Sequence, residues 1–197
     1  MGFRVVVLAS GTGTLADALI SAAKLEGFPA KVVAVGADRP AEVLNVARRH
    51  GLPTFTVAPT DFANRDEWNR GLAAAVAVFK PDLVVSAGFM RILGRDFLAR
   101  FGDRTVNTHP ALLPAFPGAH AVRDALAAGV EVTGCTVHQV DAGVDTGPIL
   151  AQRQVRIAPS DTEATLHERV KVQERQLLIE TVAALAEGRV TLASGPE

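Results

Sequence analysis

Asn107 and His109 stand two residues apart at the end of a short β-branched run, Thr105 to Thr108, that breaks at His109-Pro110. In an extended segment alternate side chains share a face, so a carboxamide donor and an imidazole can converge on one oxygen atom. That oxygen would belong to a substrate at the carboxyl end of the strand, where open α/β sheets place their ligands. Asp145 lies in a later stretch rich in glycine and aspartate, Asp141-Ala142-Gly143-Val144-Asp145-Thr146-Gly147-Pro148. If the stretch returns to the strand end, its carboxylate favours imidazolium and fixes the ring. Each residue taken alone has a plainer reading: Asn107 caps a turn, His109 is a hydrogen-bonded histidine beside proline, and Asp145 makes an Asx turn. A second candidate is Gly11-Thr12-Gly13-Thr14. Between a strand and a helix, its backbone N–H groups and the helix dipole would receive a phosphate. With Ala16 the same turn satisfies a dinucleotide fingerprint, in which Asp38 would be the ribose-binding acid.

The remaining candidates carry less chemistry. Cys135 has no evident base partner and reads as a buried apolar residue. Lys171, Gln173, Glu174 and Arg175 read as a mostly solvated helix face, with Glu174 alternatively binding a substrate amine. His50 suits a helix end, His138 alternates with core residues in a strand, and His167 falls on a helix surface. His120 sits in a loop that could line a cleft.

The elements that must position these residues alternate along the chain. Phe3 to Ala9 is a short apolar strand that turns at Ser10-Gly11, and the apolar spacing from Leu15 to Ala23 predicts a helix closed by Gly27 and Pro29. Lys31 to Val35 is a second strand, Ala41 to His50 a helix, Thr54 to Val57 a third strand, Arg65 to Phe79 a long helix and Leu83 to Ala87 a fourth strand. This alternation predicts an α/β fold with a doubly wound, mostly parallel sheet and a Rossmann-like N-terminal half. Beyond residue 100 the breakers in Ala111 to Gly118 make a shaped loop, and a short helix is expected near His120 to Ala128. Thr133 to Val140 and Ile149 to Ile157 read as strands, either paired in a hairpin or linked without being neighbours. Ser160-Asp161-Thr162 caps a long last helix through Ala186, which Gly188 ends.

Composition bounds the function. The chain has 197 residues, 48% hydrophobic and 21% charged, which suits one domain with its own core. Twenty Lys and Arg against 21 Asp and Glu give a net charge of −1, so nothing steers the whole molecule toward nucleic acid or anionic lipid. The longest apolar run, Leu72 to Phe79, is far short of the roughly 20 residues of a membrane span. A single cysteine suits a reducing compartment, so a cytoplasmic location is expected. Met1-Gly2 opens like a myristoylation signal, but Val6 stands where Ser or Thr is needed.

Five segments in order resemble the folate-dependent glycinamide ribonucleotide formyltransferases of purine synthesis. They are Ser10-Gly11-Thr12-Gly13, Ala87-Gly88-Phe89-Met90-Arg91-Ile92-Leu93, the run from Asn107-Thr108-His109-Pro110 to Phe116-Pro117-Gly118, the loop from Asp141 to Pro148, and Gln173-Glu174. The resemblance implies a single formyltransferase-fold domain over residues 1–197, with a ribonucleotide-binding half (1–100) and a folate-binding and catalytic half (101–197). It implies that a formyl group moves from 10-formyltetrahydrofolate, as co-substrate, to the amine of glycinamide ribonucleotide, with Asn107, His109 and Asp145 as the catalytic trio. Gly13, Thr14 and Leu15 would hold the ribonucleotide at its phosphate, and Glu174 with Lys171 and Gln173 elsewhere, Glu174 at the amine end. Arg65, Met90, Arg91, Ile92, Leu93, Asn107, Asp141, Ala142, Gly143, Val144 and Asp145 would contact the folate. No metal, nucleic acid or membrane partner is expected, and the chain would be a monomer or homodimer. One departure stands out: the family commonly has Asn where this chain has Leu15, so a side-chain contact to the phosphate is absent or replaced.

Other readings share parts of this pattern. A formyltetrahydrofolate hydrolase, or a formyltransferase acting on methionyl-tRNA or a sugar nucleotide, would use the same core. The hydrolase is expected to carry a further N-terminal domain and the tRNA enzyme a further C-terminal one, and this sequence has neither before Phe3 nor after Glu187. An NAD-dependent oxidoreductase built on Gly11-x-Gly13, and a non-catalytic nucleotide-binding module, are the more distant alternatives.

Overall fold

The structure, a computed structural model, describes residues 2–193. Its first half winds as β1 (Phe3–Leu8), α1 (Thr14–Ala22), β2 (Ala30–Ala37), α2 (Glu42–Arg49), β3 (Thr54–Thr56), α3 (Arg65–Ala77) and β4 (Leu83–Ser86). The second half continues as α4 (Arg95–Phe101), β5 (Thr105–His109), α5 (Ala121–Ala127), β6 (Val132–Gln139), β7 (Ile149–Arg156) and α6 (Glu163–Ala186). The seven strands form one sheet in the order β3-β2-β1-β4-β5-β6-β7. β3 through β5 are parallel, whereas β6 runs antiparallel to both β5 and β7. The expected doubly wound, mostly parallel sheet is therefore present, and the last two strands form a hairpin of direct neighbours.

Helices cover both faces because the central strands are apolar on both. Val5 and Val7 of β1 face a core built with Leu19, Val43, Val122 and Leu178, from α1, α2, α5 and α6. Val6 and Leu8 face the opposite core, with Trp68, Leu72 and Phe97 from α3 and α4. Burying both faces is what permits continuous rather than alternating hydrophobic strands. Cys135, on β6, is fully buried in the first core, and burial pushes its thiol up to about 12.

The sequence reading omits α4. The helix is only seven residues long, and its apolar signal is the pair Phe97 and Phe101, both buried one turn apart. α6 starts at a capping box in which Thr162 and Thr165 satisfy each other's backbone N–H groups. Residues 1 and 194–197, the outermost parts of the expected 1–197 domain, lie outside the described residues.

The chain enters the sheet at β1 and reverses its winding there, with β2 on one side and β4 on the other. Such a reversal opens a crevice at the carboxyl ends of the strands, the common ligand position in open α/β sheets. The turns after β1, β2, β4 and β5 all emerge at that edge.

Candidate active site

β5 delivers Asn107 and His109 to one face and Thr108 to the other, as a period of two requires. Antiparallel pairing sets His138 of β6 directly opposite Asn107, and Thr136 opposite His109. Thr136 Oγ1 donates to Ala111 O at 2.6 Å and accepts from Leu113 N at 3.1 Å, which pins the loop that follows His109. That loop brings the Phe116 carbonyl to His109 Nε2 at 2.8 Å. A carbonyl only accepts, so Nε2 carries a proton.

The other ring nitrogen, Nδ1, lies 3.3 Å from Asp145 Oδ2. The long connection between β6 and β7 does return to the end of β5, and the three candidate residues meet. His109 and Asp145 side chains are only 5% and 13% exposed, so water screens their interaction little. Both nitrogens of His109 face acceptors, an arrangement that accommodates a doubly protonated ring. Asp145 adopts φ 56, unusual for a residue with a Cβ, and Gly118 N donates to its Oδ2 at 2.8 Å. The loop is closed behind it by Asp141, which accepts from Gly143 N and from Thr146 Oγ1 at 3.0 and 2.8 Å.

His138 belongs to this constellation as well. Its Nδ1 donates to Gln139 O at 2.9 Å, leaving Nε2 to face the Asn107 carboxamide at 3.2 Å and Asp145 Oδ1 at 3.5 Å. A neutral ring accepts from the amide; a protonated one donates toward the carboxylate. Ser86 of β4 fixes the other end of the carboxamide, donating to Asn107 Oδ1 at 2.7 Å. The Asp145 carboxyl is held below its ordinary range first by the His138 hydrogen bond, then by the Gly118 N–H and the charge of His109, against the opposing effect of burial. The sequence reading placed His138 among core residues. It is buried, but on the face of β6 opposite Cys135 and Val137.

The turn after β1 has the form an anion site needs. Gly13 caps α1 with φ 81, and no side chain occupies the first N–H groups of the helix. A Cβ at Gly13 would lie 2.6 Å from Val43 Cγ2 and 2.8 Å from Val43 Cα, so glycine is required both by backbone angle and by the close approach of α2. Leu15 packs its side chain against the core and offers only backbone to a ligand.

Around the crevice the segment after β4 exposes Met90 and Ile92, and the Asp145 loop exposes Val144, at 66%, 49% and 49%. Leu93 is buried beneath them. Arg65, the first residue of α3, donates to Ile92 O at 3.0 Å and so joins this rim. On α6 the expected solvated face divides: Lys171 pairs with Glu168 at 2.9 Å, and Gln173 turns into a shallow groove of about 410 Å³ with Arg156 and Arg169. Glu174 instead points inward and is 5% exposed, against the expectation of a solvated face. Burial pushes its carboxyl up to about 7, with Thr108 the polar neighbour that partly offsets this.

Asp38, weighed above as a ribose-binding acid, has a side chain that is 0% exposed and committed to Arg91 and Arg39 at 2.7 and 3.0 Å. It has no free oxygen to offer a ribose. Among the described residues no cluster of three or more His, Cys, Asp or Glu is arranged as a metal site, and no helix is long and apolar enough to cross a membrane.

A doubly wound sheet whose carboxyl edge carries a carboxamide, an imidazole and a carboxylate defines a class of group-transfer enzyme, and residues 3–182 match the Formyl transferase family, to which the chain belongs. A phosphoribosylglycinamide formyltransferase of Mycobacterium tuberculosis (strain CDC 1551 / Oshkosh) is 60% identical over 189 residues, covering 96% of this chain and 87% of that protein. The crystal structure of glycinamide ribonucleotide transformylase 1 from Symbiobacterium toebii superposes with a TM-score of 0.94 at 38% identity, covering 98% of this chain and 95% of that one. Phosphoribosylglycinamide formyltransferase from Brucella melitensis gives 0.91 at 42% identity, covering 98% and 100%.

Proposed function

We propose that this chain is a phosphoribosylglycinamide formyltransferase, which moves the formyl group of 10-formyltetrahydrofolate to the amine of glycinamide ribonucleotide in purine biosynthesis. Family membership and 60% identity to a relative of that name support the activity. The observation that carries the mechanism is the 3.3 Å approach of Asp145 to His109, on the face of β5 that also bears Asn107.

Attack of the amine on the formyl carbon makes a tetrahedral centre whose oxygen becomes anionic. Preorganised donors aimed at that oxygen lower the barrier. The Asn107 N–H and a protonated His109 supply them, and Asp145 balances the positive ring. As the centre collapses, the amine gives up a proton and the departing folate nitrogen gains one, through His109 or a water held by Asp145. To reach the oxyanion, His109 Nε2 exchanges its bond to Phe116 O for one to the substrate oxygen.

Binding roles are those the family resemblance implies. The Gly13-Thr14-Leu15 turn takes the phosphate on backbone N–H groups, and Glu174 addresses the amine end, with Lys171 and Gln173 elsewhere on the ribonucleotide. Met90, Ile92 and Val144 cover the faces of a flat pterin, while Arg65, Arg91, Leu93, Asp141, Ala142 and Gly143 complete its pocket. On this reading the phosphate turn comes from residues 1–100 and the catalytic trio from 101–197, with the folate rim drawn from both.

An absorbance assay with 10-formyl-5,8-dideazafolate tests the proposal. Release of the deformylated product should require glycinamide ribonucleotide. Equal release without it would make the chain a hydrolase, and no release with both substrates would remove the activity altogether.

A further inference from the structure

We propose that Asp38 is a positioning residue for the folate side of the site, acting through Arg91 on the Met90–Leu93 rim. The inference rests on the formyl-transfer reading and adds to it a residue that touches neither substrate. Asp38 stands at the end of β2, just beyond Ala37, with a side chain that is 0% exposed. Arg91 Nε donates to its Oδ2 at 2.7 Å, and Arg39 donates to both oxygens, at 3.0 Å through Nη2 and 3.3 Å through Nε. The Ser10 hydroxyl lies near the carboxylate and helps keep it ionised. That hydroxyl accepts from Met90 N at 2.9 Å.

The rim residue Arg91 therefore depends on one buried carboxylate through its guanidinium, while its neighbour Met90 is tied by its backbone to Ser10. Ser10 is also the first residue of the phosphate turn, and its own N–H donates to Gly88 O at 3.1 Å. Burial alone would drive the carboxyl toward its neutral form, but Arg39, Arg91 and Ser10 outweigh it and hold it below its ordinary range. A buried charge with all its partners met is rigid, whereas removing the charge leaves two guanidiniums without a counterion. The rim's other ties, Arg65 to Ile92 O and Gly94 N to Asn69 Oδ1 at 2.6 Å, lie beyond Arg91. Met90 is 66% exposed, so little packing replaces the lost restraint.

The test compares Asp38→Asn, Arg91→Ala and the double variant Asp38→Asn/Arg91→Ala with the wild-type enzyme in steady-state transfer, and by calorimetric titration with 10-formyl-5,8-dideazafolate alone. Asp38→Asn should raise the folate KM about fivefold or more, while kcat at saturation and the ribonucleotide KM stay within about twofold. The double variant should be no worse than the weaker-binding single variant, because both changes cut one connection. A fall in kcat with the folate KM unchanged, or a loss of thermal stability with both KM values unchanged, would overturn the proposal, as would additive losses in the double variant. If Asp38→Asn fails to fold, Arg91→Ala decides: an unchanged folate KM removes the role. The titration separates the two levels, since a wild-type chain that binds the folate analogue but transfers nothing refutes the formyl-transfer reading while still showing whether Asp38 matters. A wild-type chain that binds no folate overturns both.

Discussion

At the scale of single residues, the site joins groups that are weak alone. Asn107 is held from both sides by Ser86 and His138, and His109 sits between Asp145 and a carbonyl. Losing one oxyanion donor of this kind costs on the order of 10²–10³ in turnover. Asn107→Ala and His109→Ala should each lose at least that much kcat with a native circular dichroism spectrum, and near-normal turnover in either would dismiss the trio. Gly13→Ala makes a different kind of demand, since φ 81 and the overlap with Val43 must both be relieved. It should destabilise the fold by about 2 kcal/mol in urea and raise the ribonucleotide KM more than the folate KM. The spacing of Asn107 and His109 was legible because a strand has a period of two. His138 and Ser86 were not, because that period says which residues share a face without saying which face meets the site.

At the scale of elements, the alternation of strands and helices through β4 could be read from apolar runs and their Gly and Pro stops. Two features could not. α4 carries one buried Phe pair among charged neighbours, and the antiparallel direction of β6 follows from where the chain crosses the sheet, which no local pattern records. α6 holds the clearest hidden consequence. Reading its 171–175 stretch as a polar face missed that one turn of the helix drives Glu174 into the protein. Because that carboxyl rises to about 7 from 4.5, the folded chain keeps a proton there that the unfolded chain releases between those values. Its contribution to stability is complete below pH 4.5 and is lost as pH rises through about 7. The loss should be on the order of 3 kcal/mol. Urea unfolding from pH 4.5 to 7.5 should show it as a slope that Glu174→Gln flattens; parallel profiles for the two proteins would contradict the burial.

At the scale of the whole molecule, two cores press on one sheet, and the site lies at the edge where four loops leave it. The substrates would thus touch residues on both sides of the winding reversal, and their joint binding should raise the melting temperature more than either alone, as ligands that favour only the folded state do. Differential scanning fluorimetry with each ligand and with both would check this, and no additional shift with both would argue against their binding together. The lone cysteine gives the fold a further property. Its sulfur is closed off from solvent with a thiol raised to about 12, so the thiolate that alkylating reagents attack is scarce while the sheet is intact. Iodoacetamide should leave the native enzyme unmodified and label it once per molecule as it opens, so that mass spectrometry over time becomes a clock for spontaneous unfolding without any engineered probe.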